Sequence, residues 1–272
     1  MKKAKVLYVM QEITPYLKEN HISHIGRHLP QGIQERGREI RTFMPRYGNI
    51  NERRNQLHEV IRLSGMNLII DDADHPLIIK VASIQQARMQ VYFIDNEDYF
   101  HRKALYRDKS GKFFEDNDER MIFFARGVME TVKKLGWPPD IIHCHGWFTS
   151  LLPLYIKTAF KDNPLFSDSK VIYSAYNDGF EESLDSGMLK KLKYDKIKES
   201  ELKDYKEVNY KGLIKGAMDY SDAVIMGSEE IDKDLAGHAG SLEVPVLDYK
   251  DNDSYIEAYN EFYDELLKDL ED

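Results

Sequence analysis

Apolar residues along this chain recur with two periods. Short runs rich in Val, Ile, Tyr and Phe predict strands at Ala4–Met10, Ile40–Met44, Leu77–Ala82, Met89–Ile94, Ile141–Cys144, Val171–Ser174 and Val224–Met226. Between the first two, Ile22, Ile25, Leu29 and Ile33 fall at spacings of 3, 4 and 4, which makes one apolar stripe on a helix ending near Gly37. Asp118–Leu135 predicts a long amphipathic helix closed by Gly136-Trp137-Pro138-Pro139, and shorter helices fit Thr149–Lys161 and Tyr205–Tyr220. Alternation of strand and helix predicts an α/β fold, a mainly parallel sheet flanked by helices.

Two segments depart from this alternation. Asp185–Glu207 is dense in lysine and acid and reads as a solvated insertion. From Asp253 to Leu270, the residues Tyr255, Ile256, Tyr259, Phe262, Tyr263, Leu266, Leu267 and Leu270 share one helical face, with acids on the other. The expected organisation is one domain over residues 1–247 followed by an acidic amphipathic helix in 248–272. That helix must cover apolar surface of this chain, of a partner protein or of a second copy.

Charge and composition narrow the function. Of the net charge of −9, residues 248–272 carry −8, through ten acids and two lysines, so the body is close to neutral. A nucleic-acid partner is not expected, because a polyanion requires a basic face. A membrane partner is not expected either, since no apolar run approaches the ~20 residues needed to span a bilayer. The chain enters a strand without an apolar leader, and its single cysteine, Cys144, excludes an internal disulfide; both suit the cytoplasm. Seventeen tyrosines suit sugar surfaces as well as core packing.

Motifs in four blocks carry a family resemblance across roughly residues 4–235. They are Gln11-Glu12-Ile13-Thr14-Pro15-Tyr16-Leu17-Lys18 with Pro45-Arg46-Tyr47-Gly48; Tyr99-Phe100-His101-Arg102 with Asp116-Asn117-Asp118-Glu119-Arg120; Asp140-Ile141-Ile142-His143-Cys144-His145-Gly146-Trp147-Phe148-Thr149; and Asn209, Lys215 and Tyr220-Ser221-Asp222-Ala223 with Ser228. In this order they resemble bacterial glycogen synthases and plant starch synthases. The resemblance implies a Rossmann-like, doubly wound, mainly parallel sheet flanked by helices, the N-terminal, acceptor-side half of a GT-B glycosyltransferase; such enzymes move glucose from ADP-glucose or UDP-glucose to an α-1,4-glucan. It also implies an α-glucan and a nucleotide sugar as partners, and no metal or other cofactor. The family's second domain neutralises the leaving diphosphate, and nothing after Ser228 offers such donors, so catalysis by this chain alone is not expected.

Site residues follow by position, with several departures. Lys18 remains where the family's lysine lies beside the donor phosphates, but Glu19, Asn20 and His21 replace its Thr-Gly-Gly and His24 its aspartate. At the strand end, His145 is placed for a sugar hydroxyl, although Gly146 stands for an aspartate and Phe148 for a histidine that contacts glucose. Tyr176 replaces a histidine and Asn177 is kept; Glu12 and Tyr16 lie at another strand end, and Asp95, Asn96 and Asp98 at a third. Each could contact sugar, and each could equally be strand-end structure or turn chemistry. His21, His24 and His28 share a helix face, a spacing open to a metal and to incidental surface histidines alike. No hydrolase triad, Walker loop, zinc-finger spacing or dinucleotide turn is present.

Overall fold

The computed structural model describes residues 3–268. Its sheet opens with β1 (Lys5–Met10), is followed by α1 (His21–Glu35), and continues in β2 (Glu39–Pro45). Asn20 caps α1 by accepting from Ser23 N, while the Ser23 hydroxyl accepts in return from Asn20 N. Ile22, Ile25, Leu29 and Ile33 are all buried, as their spacing predicts, and Gly37 follows the helix in the left-handed region at φ 93°.

An antiparallel excursion comes next: β3 (His58–Glu59), β4 (Met66–Ile70), β5 (Ala73–Ile84) and β6 (Met89–Asp95). β3 and β4 have no counterpart in the sequence reading, because β3 is two residues long and β4 carries only one short apolar run. The helix α2 (Glu97–Phe100) and the long α3 (Asn117–Leu135) lead to β7 (Ile141–His145). Beyond it lie α4 (Leu151–Lys157), β8 (Lys170–Ala175), α5 (Met188–Tyr194), α6 (Tyr210–Asp219), β9 (Ala223–Met226), α7 (Lys233–Ser241), β10 (Val246–Leu247) and α8 (Tyr255–Lys268).

The strand order is β10-β9-β8-β7-β1-β2-β6-β5-β3, with β4 pairing β5. Pairing is parallel from β10 to β6 and antiparallel where β5 joins β6, β3 and β4. The chain leaves β1 toward β2 and later returns to its other side through β7, so the strand order reverses at β1. Crevices for ligands open at the carboxyl ends of strands at such a point. Among the described residues no helix is long and apolar enough to cross a membrane.

One expectation changes and one open alternative is decided. The segment 185–207 is not a solvated insertion: Met188, Leu192, Ile197, Leu202 and Tyr205 are buried, and Lys191 donates to Asp118 at 2.8 Å and Glu119 at 2.7 Å on α3. Most of its few apolar side chains point inward, with Tyr194 exposed, and composition averages that pattern away.

The tail helix closes on its own chain. Tyr255, Tyr259, Phe262, Tyr263 and Leu266 are buried, and Ile256 lies so close to α1 that a Cβ on Gly32 would sit 2.6 Å from it. Arg36 pairs with Glu257 and Arg38 with Asp264, each at 2.7 Å. The apolar face of α8 is therefore occupied within the chain, which removes it as a docking surface for a partner or a second copy. Leu270, placed on the same face by periodicity, lies outside the described residues.

Candidate functional site

A cavity of about 310 Å³ opens where β1, β7 and β8 end. Its walls come from the residue pair after β1, the start of α1, the loop 106–113, and the turns after β7 and β8. Glu12 projects from β1's end, where the Asn20 amide donates to Oε2 at 2.6 Å and the Tyr106 hydroxyl to Oε1 at 3.4 Å. Burial raises the Glu12 carboxyl above its ordinary value, and these two donors pull it partly back. Tyr106 is itself held by the Tyr47 hydroxyl at 3.0 Å, so the carboxylate's position is fixed from the core outward.

Asp178 is the second carboxyl on the cavity. Gln11 Nε2 donates to its Oδ2 at 3.1 Å, the Trp147 backbone N–H to the same oxygen at 3.2 Å, and the Tyr210 hydroxyl to Oδ1 at 3.1 Å. Burial pushes this carboxyl up to about 6 despite the three donors. Around the two carboxyls stands an aromatic wall. Phe113 stacks on Phe180 at 4.9 Å, and Trp147 meets Phe180 at 4.8 Å and Tyr106 at 4.7 Å. Arg107 and Glu182 form a bidentate pair that ties the loop carrying Phe113 to the loop carrying Phe180.

Of the residues expected at the site, Glu12 and Asn177 line the cavity. The others lie elsewhere. His145 is fully buried, with Nδ1 2.8 Å from the Tyr176 hydroxyl and no partner on Nε2 among the described residues. Its ring is 3.8 Å from that of His143, whose Nδ1 meets the Tyr263 hydroxyl of α8 at 2.6 Å. Alternation along β7 puts both histidines on the α8 side, and burial pushes His145 down to about 3. Tyr176 follows His145 into this layer.

Tyr16 packs edge-on against Phe93 at 4.9 Å, and Lys18 is exposed outside the wall. Asn96 caps α2, and Asp95 is buried 2.9 Å from Lys80 Nζ. His21 Nε2 lies 2.7 Å from Gly227 O at the cavity edge, whereas His24 pairs with Glu19 and stacks beside His28. Among the described residues no group of three or more His, Cys, Asp or Glu could hold a metal ion.

Sequence reading missed Gln11, Tyr106, Arg107, Phe113, Asp178 and Phe180 as site residues. Asp178 carried a signal, since it follows Asn177 at a strand end, but turn chemistry explained it equally well. The loop residues gave none; long-range contacts such as Arg107–Glu182, Phe113–Phe180 and Tyr106–Trp147 bring them to the cavity.

Residues 5–244 match the family described as the starch synthase catalytic domain. The chain belongs to this family. The glycogen synthase of Chlorobium limicola is 42% identical over 174 residues, which is 64% of this chain and 36% of that protein. That of Chlorobium phaeovibrioides is 34% identical over 239 residues, 87% of this chain and 48% of that protein. The chain thus spans between a third and a half of the length of these relatives. Among solved structures, the catalytic domain of starch synthase IV from Arabidopsis thaliana, bound to ADP and acarbose, superposes with a TM-score of 0.71 at 18% identity, covering 93% of this chain and 53% of that one. At that identity the likeness establishes the fold, the Rossmann-like half of a GT-B glycosyltransferase.

Gly146 stands where the resemblance described above implies an aspartate. Gly146 has φ 83°, and a Cβ there would lie 2.3 Å from Gln11 Oε1. Gln11 thus fills the space a side chain at 146 would enter. Gly146→Asp is expected to cost about 2–4 kcal/mol through positive φ and overpacking together. Adding Gln11→Ala should recover part of that loss in urea melts; equal loss in single and double variants would show that Gln11 is not the obstacle.

Proposed function

We propose that this domain is the acceptor-side half of a glucosyltransferase of α-glucan metabolism, and that its cavity holds a glucose unit of an α-1,4-glucan. The observation that supports this reading most is the pairing of two held carboxylates, Glu12 and Asp178, with the ring faces of Trp147, Phe113 and Phe180 around one cavity. Carboxylate oxygens accept from sugar hydroxyls, and flat rings cover the apolar C–H faces of a pyranose. Asn177 adds an amide that both donates and accepts.

The proposal includes that this chain, alone, does not transfer glucose from ADP-glucose or UDP-glucose. Lys18 stands outside the cavity wall, and Glu19 adds negative charge beside it where a diphosphate would approach. Phe148 is fully buried and cannot hydrogen-bond a sugar. A non-catalytic, glucan-binding or regulatory role is the second reading, favoured by the side chain of Gln11 filling the space beside Gly146. Cytoplasmic location is part of either reading; Cys144 is buried and burial holds its thiol protonated.

Labelled glucose offered as ADP-glucose or UDP-glucose with glycogen should give no incorporation above blank, while a complete synthase in parallel incorporates. Affinity electrophoresis in glycogen gels should show retardation that Trp147→Ala weakens about tenfold, roughly 1.4 kcal/mol. Incorporation by the isolated chain would reject the inactivity, and unretarded migration of the folded wild type would reject the glucan site.

A further inference from the structure

A second cavity, of about 410 Å³, lies at the opposite end of the sheet, where β2 and β6 begin. Its wall holds two arginines, Arg41 and Arg88, with the Ser83 hydroxyl, the Gln34 and Gln90 amides, and the side chains of Ile40, Met89 and Tyr92. Among the described residues no acidic side chain is part of it. Neither guanidinium forms an ion pair among the described residues. The carboxylate next in sequence, Glu39 on β2, is engaged by the indole N–H of Trp137.

Arg41 is preorganised. It lies over the rings of Trp137 at 5.1 Å and Tyr92 at 5.7 Å, and Nη1 donates to the Tyr92 hydroxyl at 2.6 Å. Among the described residues its buried Nε has no acceptor and the buried Gln34 Oε1 has no donor. Buried polar atoms are rarely left in this state unless a ligand, ion or water completes them. Arg88 closes the turn between β5 and β6 at φ 50°, a left-handed position that glycine or asparagine fills more readily. The turn therefore does not select arginine, whereas the cavity gains a second cation from it.

We propose that this cavity binds a small phosphate-bearing polyol. Two guanidiniums without an ion pair among the described residues, and a hydroxyl, on one wall supply donors for the several oxygens of a phosphate ester, for which arginine's planar fork is suited. The orphaned Gln34 carbonyl takes a hydroxyl hydrogen from the rest of the molecule, and Tyr92, Ile40 and Met89 border its carbon skeleton. The cavity has room beyond the anion itself. Being at the N-terminal ends of the strands, the site is separate from the glucan cavity and stands independently of the function proposed for it.

Thermal melts of the whole chain at constant ionic strength test this, with inorganic phosphate and glycerol phosphate as probes and chloride as the reference anion. At a probe concentration near ten times its dissociation constant, the melting temperature is expected to rise by about 3 °C over chloride, more for glycerol phosphate than for phosphate at equal concentration. Arg88→Gly should abolish the rise with its fold intact, because glycine adopts φ 50° without strain. Arg41→Gln, a second variant, should reduce it. A rise equal in chloride, or one that survives Arg88→Gly, overturns the site; a rise no larger for glycerol phosphate than for phosphate overturns the polyol assignment.

Discussion

Removal of residues 248–272 is expected to lower the melting temperature by more than about 10 °C and to leave a chain that aggregates near room temperature. α8 buries Tyr255, Tyr259, Phe262, Tyr263 and Leu266, each worth about 1.5–3 kcal/mol of burial. Ordering the helix costs about 1–2 kcal/mol per residue and cancels much of that gain. The surface beneath decides the outcome, because truncation also bares Tyr8, His143 and the α1 face around Gly32, and removes the hydrogen bond to His143 Nδ1. Stability of such a domain is only about 5–15 kcal/mol in total, so losing burial on both sides of one interface is severe. Tyr263→Phe isolates the polar part: it keeps the ring but orphans His143 Nδ1 and the Tyr8 hydroxyl, at about 1–3 kcal/mol. Circular dichroism melts and size-exclusion chromatography read both variants. A truncated chain that stays a monomer with an unchanged melt would sink the assignment of α8 as an integral layer.

Lys191→Ala is expected to destabilise the fold by about 3–5 kcal/mol at pH 8, the cost of leaving a buried charge unpaired. The ammonium reaches Asp118, which is fully buried, and Glu119, which is partly so. Lys191 is raised above its ordinary value by the carboxylates, while Asp118 is pushed up to about 6 because burial outweighs the pull of the ammonium. A carboxyl raised in the folded state favours folding while protonated, so its contribution is full below about 3.8 and lost as pH rises through about 6. Without Lys191 the carboxyl rises further, and the penalty of the substitution should shrink between pH 8 and pH 5. Urea melts at both pH values check this; a penalty independent of pH would mean that lost packing of α5, not the orphaned carboxyl, sets the cost.

Much of the fold was legible in the sequence because burial leaves a period. The strands around β1, β7, β8 and β9, the stripe on α1 and the long α3 all carry unbroken apolar patterns, and the four motif blocks placed them in a known family order. β3 and β4 carried too little pattern to be seen, and α5 hid its inward side chains among lysines. Glu12 and Asn177 were legible as site residues because strand ends in such sheets face ligands. His145 and Tyr176 share that position in sequence but lie on the α8 side, since a strand offers two faces and only the packing of the next layer says which one is covered.

The sequence by itself determined the α/β alternation, the family and the existence of an amphipathic tail helix, all of which depend on local periodicity and on short contiguous motifs. Tertiary structure alone decided that the tail covers its own sheet, that Gln11 fills the space beside Gly146, and that Asp178 stands with Glu12 behind an aromatic wall. Those facts rest on contacts between residues more than a hundred positions apart, as in Gln11 with Asp178 and His143 with Tyr263. No local pattern encodes such a pair, because each partner satisfies its own segment's periodicity whether or not the other is present.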